Sequence, residues 1–460
     1  MNNVNLVYGV KDRPGFLKTL VFALQQVLAI LAATIVVPVI INGNTANNVA
    51  DGVGSLANMS QSAALLGAGV GTIVYLLFTK FRSPVFLGSS FAFLGSMTAA
   101  FAGAVSASVG YLGLIIGAIL AGLVYVVISI VVKFVGVKWI DKVMPASVIG
   151  PTVAVIGLSL AGNAVGDLSK GAVATTNPWI ALLCGLVTLI TVIVCSVYGK
   201  KMLKIIPFII GILAGYIVAA IFTVIGIVAE VPALQVINFG LFKNMQWLPE
   251  FTFVKAFNGF KELDAAYFVT VAVAYIPVAF VVFAEHLADH KNISSIIGTD
   301  LTQDPGLHRT LLGDGIGSMA GAFFGGCPNT TYGESVGCVA ISGNASVVTI
   351  ITAAIICIVA AFFAPFVTLL ATIPSCVMGG VCFTLYGFIA VSGLKMIQKV
   401  DLNKNHNLFT VSVILIAGVG QLVLSIGKVT LTAVACSLIL GIIVNLITSK
   451  ARNQEEQENA

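Results

Sequence analysis

The chain has 460 residues, of which 58% are hydrophobic and only 9% are charged. Soluble globular domains carry about 25% charged residues, so this composition excludes an ordinary soluble protein and indicates a chain that lies mostly in a lipid bilayer. The formal net charge is +5, but the basic residues are spread over short connections, so nucleic acid is not an expected partner.

Apolar runs of roughly 20 residues, long enough to cross a bilayer as helices, recur along nearly the whole chain. Examples are residues 20–40, 110–132, 179–197, 205–227, 347–370 and 408–423. We therefore expect an all-α membrane protein with about fourteen spans. Two of these spans, the third and the tenth, are expected to be broken.

Lysine and arginine collect in alternate connections between the apolar runs, at 11–18, 80–82, 133–142, 200–204, 291–309, 395–404 and 450–452. The connections between these, at 41–60, 102–109, 163–177 and 366–373, contain one basic residue, Lys170. Cytoplasmic connections of membrane proteins are rich in Lys and Arg. We therefore expect a multi-pass protein of the cell (inner or plasma) membrane with both termini in the cytoplasm.

Two polar, glycine-rich stretches interrupt the apolar pattern. The first is Ser83-Pro-Val-Phe-Leu-Gly-Ser-Ser-Phe91 and the second is Cys327-Pro-Asn-Thr-Thr-Tyr-Gly-Glu-Ser-Val-Gly337. Irregular backbone at membrane depth is tolerated only where protein or a cavity surrounds it. Paired interruptions in corresponding positions of two halves are typical of the binding site of a secondary transporter.

The two halves of the chain correspond in a second place. Pro145-Ala-Ser-Val-Ile-Gly150 is similar to Pro374-Ser-Cys-Val-Met-Gly379, and each opens an apolar run. The matched segments are an odd number of spans apart, so the repeats are expected to be inverted in the membrane. We assign the first repeat to residues 15–228 and the second to 264–449 of one transporter unit, 1–460. The tail, 450–460, is expected to be disordered in the cytoplasm.

Two carboxylates, Glu285 and Glu334, lie within or beside apolar sequence. An ionisable group at membrane depth costs several kcal/mol unless it faces a cavity or a partner, so each is a candidate site residue. The alternative for Glu285 is a solvated helix end, because charged residues follow it at 289–291. A structural salt bridge is the alternative for Glu334.

The sequence gives no indication of an enzyme. We find no nucleophile with a neighbouring base, no cluster of metal ligands and no glycine-rich nucleotide loop. The eight cysteines are scattered through apolar segments without a Cys-x-x-Cys pair. No cofactor or metal is expected, and transport must be driven by an ion gradient.

Five motifs in order resemble the uracil permeases of the nucleobase–ascorbate transporter (nucleobase:cation symporter) family. They are Gly88-Ser-Ser-Phe-Ala-Phe93, Glu285-His-Leu-Ala-Asp-His290, Asp304-Pro-Gly-Leu-His308, Pro328-Asn-Thr-Thr-Tyr-Gly-Glu-Ser-Val-Gly337 and Leu385-Tyr-Gly387. The resemblance covers about residues 15–448. It implies fourteen spans in two inverted repeats of seven, a core domain that holds the base, a gate domain that moves against it, and a homodimer.

The resemblance also implies roles for single residues. Glu285 and Glu334 would accept hydrogen bonds from the ring N–H groups of uracil, while main-chain amides at Phe91 and Gly333 would donate to its carbonyls. Phe91 and Tyr386 would pack against the ring, although both also fit ordinary core positions. Charge-assisted hydrogen bonds to carboxylates are stronger than neutral ones.

The chain departs from the family pattern at three positions. Gln26 and Asp289 replace histidines, and Ser335 stands where many members have Asn. The loss of two imidazoles, which titrate near neutral pH, leaves Glu285, Asp289 and His286 as the candidates for proton coupling. Gln26 and Ser335 are accessory candidates near the site.

We expect a symporter that imports uracil with protons by alternating access. A purine (xanthine or uric acid) permease of the same family is an alternative, although its members usually have Gln at the position of Glu334. An anion channel or exchanger of the same architecture is a second alternative. Na⁺ is the alternative to the proton, since Asn329, Thr330 and Thr331 offer oxygen ligands at a helix break.

Overall fold

The computed structural model describes residues 6–50, 54–136, 139, 144–200, 202–426 and 429–448. The chain is mostly helical, with four three-residue strands in two small antiparallel sheets within these residues. The predicted disordered tail, 450–460, lies outside the described residues.

The first half contains nine helices and one strand in its described part. They are α1 (Phe16–Ala50), α2 (Gln61–Phe78), β1 (Leu87–Ser89), α3 (Leu94–Ala102), α4 (Ala107–Val135), α5 (Ala146–Ser159), α6 (Ala161–Asp167), α7 (Pro178–Tyr198), α8 (Met202–Ile205) and α9 (Pro207–Val228). A 3-10 turn, Phe91–Phe93, leads from β1 into α3.

The second half begins after a connection that holds short 3-10 turns and α10 (Thr252–Ala256). Its elements are α11 (Ala265–Ile297), α12 (Leu307–Gly325), β2 (Asn329–Thr331), α13 (Gly333–Ser342), α14 (Val347–Ala361), α15 (Ala364–Ala371), α16 (Ser375–Ile397), α17 (Asn405–Val419), β3 (Leu424–Ile426), β4 (Val429–Leu431) and α18 (Ala433–Ile447). The order helix, helix, strand, short helix, helix therefore occurs twice, from α1 to α4 and from α11 to α14.

Eight helices of the described chain are long and apolar enough to cross a bilayer, and a ninth span results if α14 and α15 are counted together. The chain is therefore a multi-pass membrane protein. The run 347–370, which the sequence predicts as one span, is bent by 83° between α14 and α15. Pro365 lies in the first turn of α15, and its ring and missing N–H interrupt the preceding helix.

The two predicted interruptions lie side by side. Strands β1 and β2 pair in antiparallel register, with Gly88 opposite Thr330 and Ser89 opposite Asn329. Ser90 continues the ladder by donating its amide to the carbonyl of Pro328 at 2.9 Å. The pairing places the start of the 3-10 turn at Phe91 and the start of α13 at Gly333 near each other in the interior.

The two similar proline motifs open α5 and α16. Pro145 and Pro374 occupy the N-cap positions in extended conformation, before the first helical residue. Glycines then allow these two helices to pack closely, since a Cβ on Gly157 or on Gly393 would clash with the backbone of the other helix. On α16, the ring of Tyr386 contacts that of Phe91, which follows β1.

Candidate functional site

A cavity of about 490 Å³ lies beside the paired strands. Five of the predicted site residues line it: Phe91, Glu285, Asp289, Gly333 and Glu334. They come from three segments that are far apart in the sequence. The fold thus brings two broken helices and one continuous helix to a single polar site.

Helix α11 supplies two of the three carboxylates. Glu285 and Asp289 are four residues apart, so they share one face of the helix, and both are only partly buried because they face the cavity. Helix α11 continues to Ile297, about three turns beyond Glu285. Glu285 is therefore not at a solvated helix end, which was the alternative that the sequence left open.

Helix α13 supplies the third carboxylate and free main-chain donors. Its first intrahelical bond runs from the amide of Val336 to the carbonyl of Tyr332, so the amides of the preceding residues have no acceptor in the helix. Gly333 is exposed to the cavity, and such helix starts bind electronegative oxygens. Glu334 makes no ion pair with any residue that the structure describes.

Strand β2 connects the cavity wall to α11. Thr331 donates its hydroxyl hydrogen to Asp289 Oδ2 at 2.8 Å, and its neighbour Thr330 also lines the cavity. Asn329 donates its side-chain amide to the carbonyl of Gly67 in α2 at 2.9 Å. The strand is held on both sides, which fixes the position of Gly333 at its end.

The two predicted aromatic residues differ in position. Phe91 lines the cavity, whereas Tyr386 is buried behind Phe91. The centroids of these two rings are 6.0 Å apart, and the rings meet edge to face at an angle of 76°. The face of α16 that meets the cavity instead presents Leu385, Phe388 and Ile389. Tyr386 therefore supports Phe91 rather than lining the cavity.

The two accessory candidates, Gln26 and Ser335, contact each other. The side-chain amide of Gln26 donates to Ser335 Oγ, which also accepts the main-chain amide of Phe86 at 2.9 Å. Both side chains are buried and are absent from the described lining of the cavity. Their hydrogen bonds join α1, α13 and the segment before β1.

His286 follows Glu285 and lies about 100° round α11 from it, on a buried face that does not line the cavity. Its Nδ1 contacts Asp314 Oδ2 at 2.8 Å and its Nε2 contacts Thr310 Oγ1 at 3.0 Å. The side chains of His286 and Asp314 are 0% and 1% exposed, so this pair is sealed from water. Both ring nitrogens are already occupied.

Asp314 is a residue that sequence reasoning missed. It lies in Leu311-Leu-Gly-Asp-Gly-Ile316, where apolar residues and glycines surround one acid. The signal is the same as the one that identified Glu285, an isolated ionisable group in a segment that enters the membrane. His290 extends the buried network, stacking on His286 with ring centroids 3.9 Å apart and contacting the Tyr75 hydroxyl at 2.7 Å through Nε2.

Comparison with known proteins gives a family match over most of the chain. A family described as the permease family matches residues 17–427. The chain is 37% identical over 445 residues to the uracil permease of Bacillus caldolyticus, covering 96% of this chain and 94% of that protein. It is 36% identical to the uracil permease of Bacillus subtilis, covering 98% and 97%, and 35% identical to that of Escherichia coli, covering 95% and 93%.

Solved structures with similar folds are transporters of another kind. The transmembrane domain of the cyanobacterial bicarbonate transporter BicA matches with a TM-score of 0.57 and 16% identity, covering 95% of this chain and 99% of that chain. The murine anion transporter Slc26a9 matches with a TM-score of 0.62 and 13% identity, covering 96% and 69%. At this level of identity the likeness concerns the fold alone.

Proposed function

Because the chain belongs to the permease family, we propose that it imports uracil across the cell membrane in symport with protons. The observation that carries the proposal is one cavity lined by Glu285, by Glu334 and by Gly333 at the start of α13. The relatives named as uracil permeases supply the substrate. Transport without catalysis agrees with the family, whose members are permeases and not enzymes.

The cavity matches the hydrogen-bonding groups of uracil. The flat ring alternates N–H donors with carbonyl acceptors. Glu285 and Glu334 can each accept one N–H in a charge-assisted bond, and the amides near Gly333 and Phe91 can donate to the carbonyls. The Phe91 ring lies where it can pack against the base, with Tyr386 behind it.

Glu285 and Asp289 are the proposed proton carriers. Both are on the cavity face of α11, and the two carboxylates interact electrostatically with each other. A proton on either one lowers the charge of the site during the conformational change. His286 suits a structural role better, because its ring is sealed and both nitrogens are occupied.

The proposed architecture has fourteen spans in two inverted repeats. The eight long helices and the bent pair are completed by three shorter apolar helices and by α12 and α13. The repeated element order and the matched proline motifs support this division. We infer core and gate domains that alternate the access of the cavity, a homodimer, and cytoplasmic termini on the side rich in Lys and Arg.

Two alternatives fit the site less well. The solved structures of similar fold are anion transporters, but three carboxylates line this cavity beside the paired strands and would repel an anion bound there. A purine permease shares the family, yet the full-length relatives reported above are named for uracil. Na⁺ in place of the proton would use oxygen ligands of Asn329, Thr330 and Thr331 at the helix break.

The test is uptake of radiolabelled uracil by cells that lack their own permease, with and without a proton uncoupler and with excess xanthine. We expect uptake that the uncoupler abolishes, that xanthine does not compete with and that increases as the external pH falls. Asp289→Asn or Glu285→Gln should flatten that pH dependence. Uptake that ignores the uncoupler but requires Na⁺ would reject proton coupling, and competition by xanthine would favour the purine alternative.

A further inference from the structure

The cavity is longer than one pyrimidine ring requires. A single face of α16 follows it, with Leu385, Phe388, Ser392 and Met396 all in its lining. Leu385 and Met396 are eleven residues apart, which corresponds to about 16 Å along a helix. A volume of about 490 Å³ falls in the range of sites for drug-sized ligands.

The two ends of the cavity differ in charge. Glu285, Asp289 and Glu334 line the cavity beside the paired strands, whereas Lys204 of α8 and Ser196 flank the connection after α7, and Met396 lies near the end of α16. Lys204 is the one basic side chain among the described residues that line the cavity. It is exposed, so we take its end of the cavity as the mouth, and Phe388 and Phe208 add apolar surface to the lining.

The surroundings of the mouth are basic as well. Lys200, Lys395 and Lys399 are exposed on the connection after α7 and at the end of α16. Such a group of like charges raises the local concentration of anions by electrostatic steering. Under the membrane orientation proposed above, this side faces the cytoplasm.

On the basis of the proposed function, we propose that the cavity also binds pyrimidine nucleoside monophosphates from the cytoplasm, which inhibit transport. The base would enter toward the acids, the ribose would lie against the apolar middle, and the phosphate would contact Lys204, with the hydroxyls of Ser196 and Ser392 nearby. A phosphate monoester is a strong acceptor for lysine and hydroxyl donors.

The attachment of the ribose explains why such a ligand inhibits and is not carried. Ring N1 bears the ribose, so the base can offer only N3–H to the carboxylates and must direct N1 toward the mouth. The ribose and phosphate then occupy the opening that has to close for alternating access. The same geometry means that the nucleoside without its phosphate binds more weakly than the nucleotide.

The experiment is competition against radiolabelled uracil on the full-length protein in nanodiscs, which leave both faces accessible. The competitors are uridine, uridine 5′-monophosphate and inorganic phosphate, in discs of zwitterionic lipid and in discs that contain anionic lipid. We expect the nucleotide to compete about fivefold better than uridine, the effect of one exposed ion pair. Inorganic phosphate alone should not displace uracil, and anionic lipid should not remove the difference.

Three variants locate the phosphate contact. For each variant we take the ratio of the half-inhibitory concentration of uridine to that of uridine 5′-monophosphate. Lys204→Gln should bring that ratio near one, and Lys204→Arg should retain it. Lys200→Gln removes an exposed lysine of the same connection that does not line the cavity, and should leave the ratio unchanged. If Lys200→Gln lowers the ratio as much as Lys204→Gln does, the lysines act by general electrostatic attraction, and the assignment to Lys204 is overturned.

The remaining outcomes separate this inference from the function on which it rests. If uracil binds but the nucleotide competes no better than uridine, the inference is rejected and the proposed function stays intact. Two further results would also reject the inference: displacement of uracil by inorganic phosphate, and loss of the difference between nucleotide and uridine in anionic lipid. Either result would show a phosphate site that does not need the base. Absence of uracil binding would reject the proposed function and the inference together.

Discussion

The two faces of α11 both carry ionisable side chains, but in different surroundings. Glu285 and Asp289 face the cavity and stay partly exposed, whereas His286 and His290 face α2 and α12 and are fully buried. Each pair has the four-residue spacing of neighbours on a helix. A rotation of about 100° for each residue separates the two faces.

Asp289 and Asp314 make the same point with one residue type, because Asp289 faces the cavity whereas Asp314 is buried against His286. The cavity carboxylates keep oxygens available to a ligand, with Thr331 as a partner of Asp289. Both ring nitrogens of each histidine bond to protein groups, so the histidines hold α11 against its neighbours. The predictions below separate a loss of binding from a loss of folding.

The largest expected effect is on stability and comes from the buried face. Asp314→Ala leaves His286 Nδ1 without its partner in a sealed site, and an unsatisfied buried polar group costs about 1–3 kcal/mol, and more where the group is charged. We expect a clearly lower melting temperature and a lower yield of the purified protein, measured by thermal unfolding in detergent. An unchanged melting temperature would contradict a structural role for the pair.

A double variant provides the control for this effect. Replacing both partners of a buried hydrogen bond by apolar residues is often nearly neutral, because no polar group is left unpaired. Asp314→Leu combined with His286→Leu should therefore recover most of the stability that Asp314→Ala loses. If the double variant is as unstable as the single one, packing and not the unpaired group is responsible.

The second prediction concerns binding at the cavity face. Glu285→Gln and Glu334→Gln each replace a charged acceptor by a neutral amide of the same shape. Removing a hydrogen bond to a charged group costs about 1.5–3 kcal/mol, so uracil should bind about tenfold to a hundredfold more weakly. The melting temperature should stay at the wild-type level, since both side chains face the cavity. Titration with radiolabelled uracil measures the loss of affinity, and a melting curve on the same sample measures the stability.

The sequence predicts the parts of this comparison that local pattern determines. The glycine-rich interruptions, the proline starts of α5 and α16 and the cavity acids of α11 and α13 all carry local signals. The bend at Pro365 was missed because hydrophobicity continues through it. Contacts such as Gln26 with Ser335, 309 positions apart, arise only when the chain is folded, so their pairing could not be read from either segment.

The position of Tyr386 and the role of Asp314 show the same limit. Periodicity places Tyr386 on α16 but does not say whether its ring or that of Phe388 meets the cavity, since the answer depends on how α16 rotates against α5. Asp314 carries a local signal, but its partner His286 belongs to a different helix. One sequence therefore predicts which residues are unusual better than it predicts which of them meet.

A third prediction compares the two aromatic residues at the site. Base–aromatic stacking contributes about 1–3 kcal/mol per base, so Phe91→Ala should weaken uracil binding about tenfold. Tyr386→Phe keeps the ring that supports Phe91 and should change binding less than twofold. A larger loss in Tyr386→Phe than in Phe91→Ala would place the Tyr386 hydroxyl, and not the Phe91 ring, in contact with the ligand.

The smallest expected effect comes from the hydroxyl that orients Asp289. Thr331→Val removes the bond to Asp289 Oδ2 while keeping the β-branched shape that suits the short strand β2. Because Asp289 still faces an open cavity, the loss should be near the 1 kcal/mol of an ordinary hydrogen bond, which is a change of about fivefold in uracil affinity. Thr331→Ser restores the hydroxyl and should restore the affinity. If Thr331→Ser binds uracil as weakly as Thr331→Val, the methyl group of Thr331 supports the site. The hydrogen bond from Thr331 to Asp289 would then contribute nothing to uracil binding.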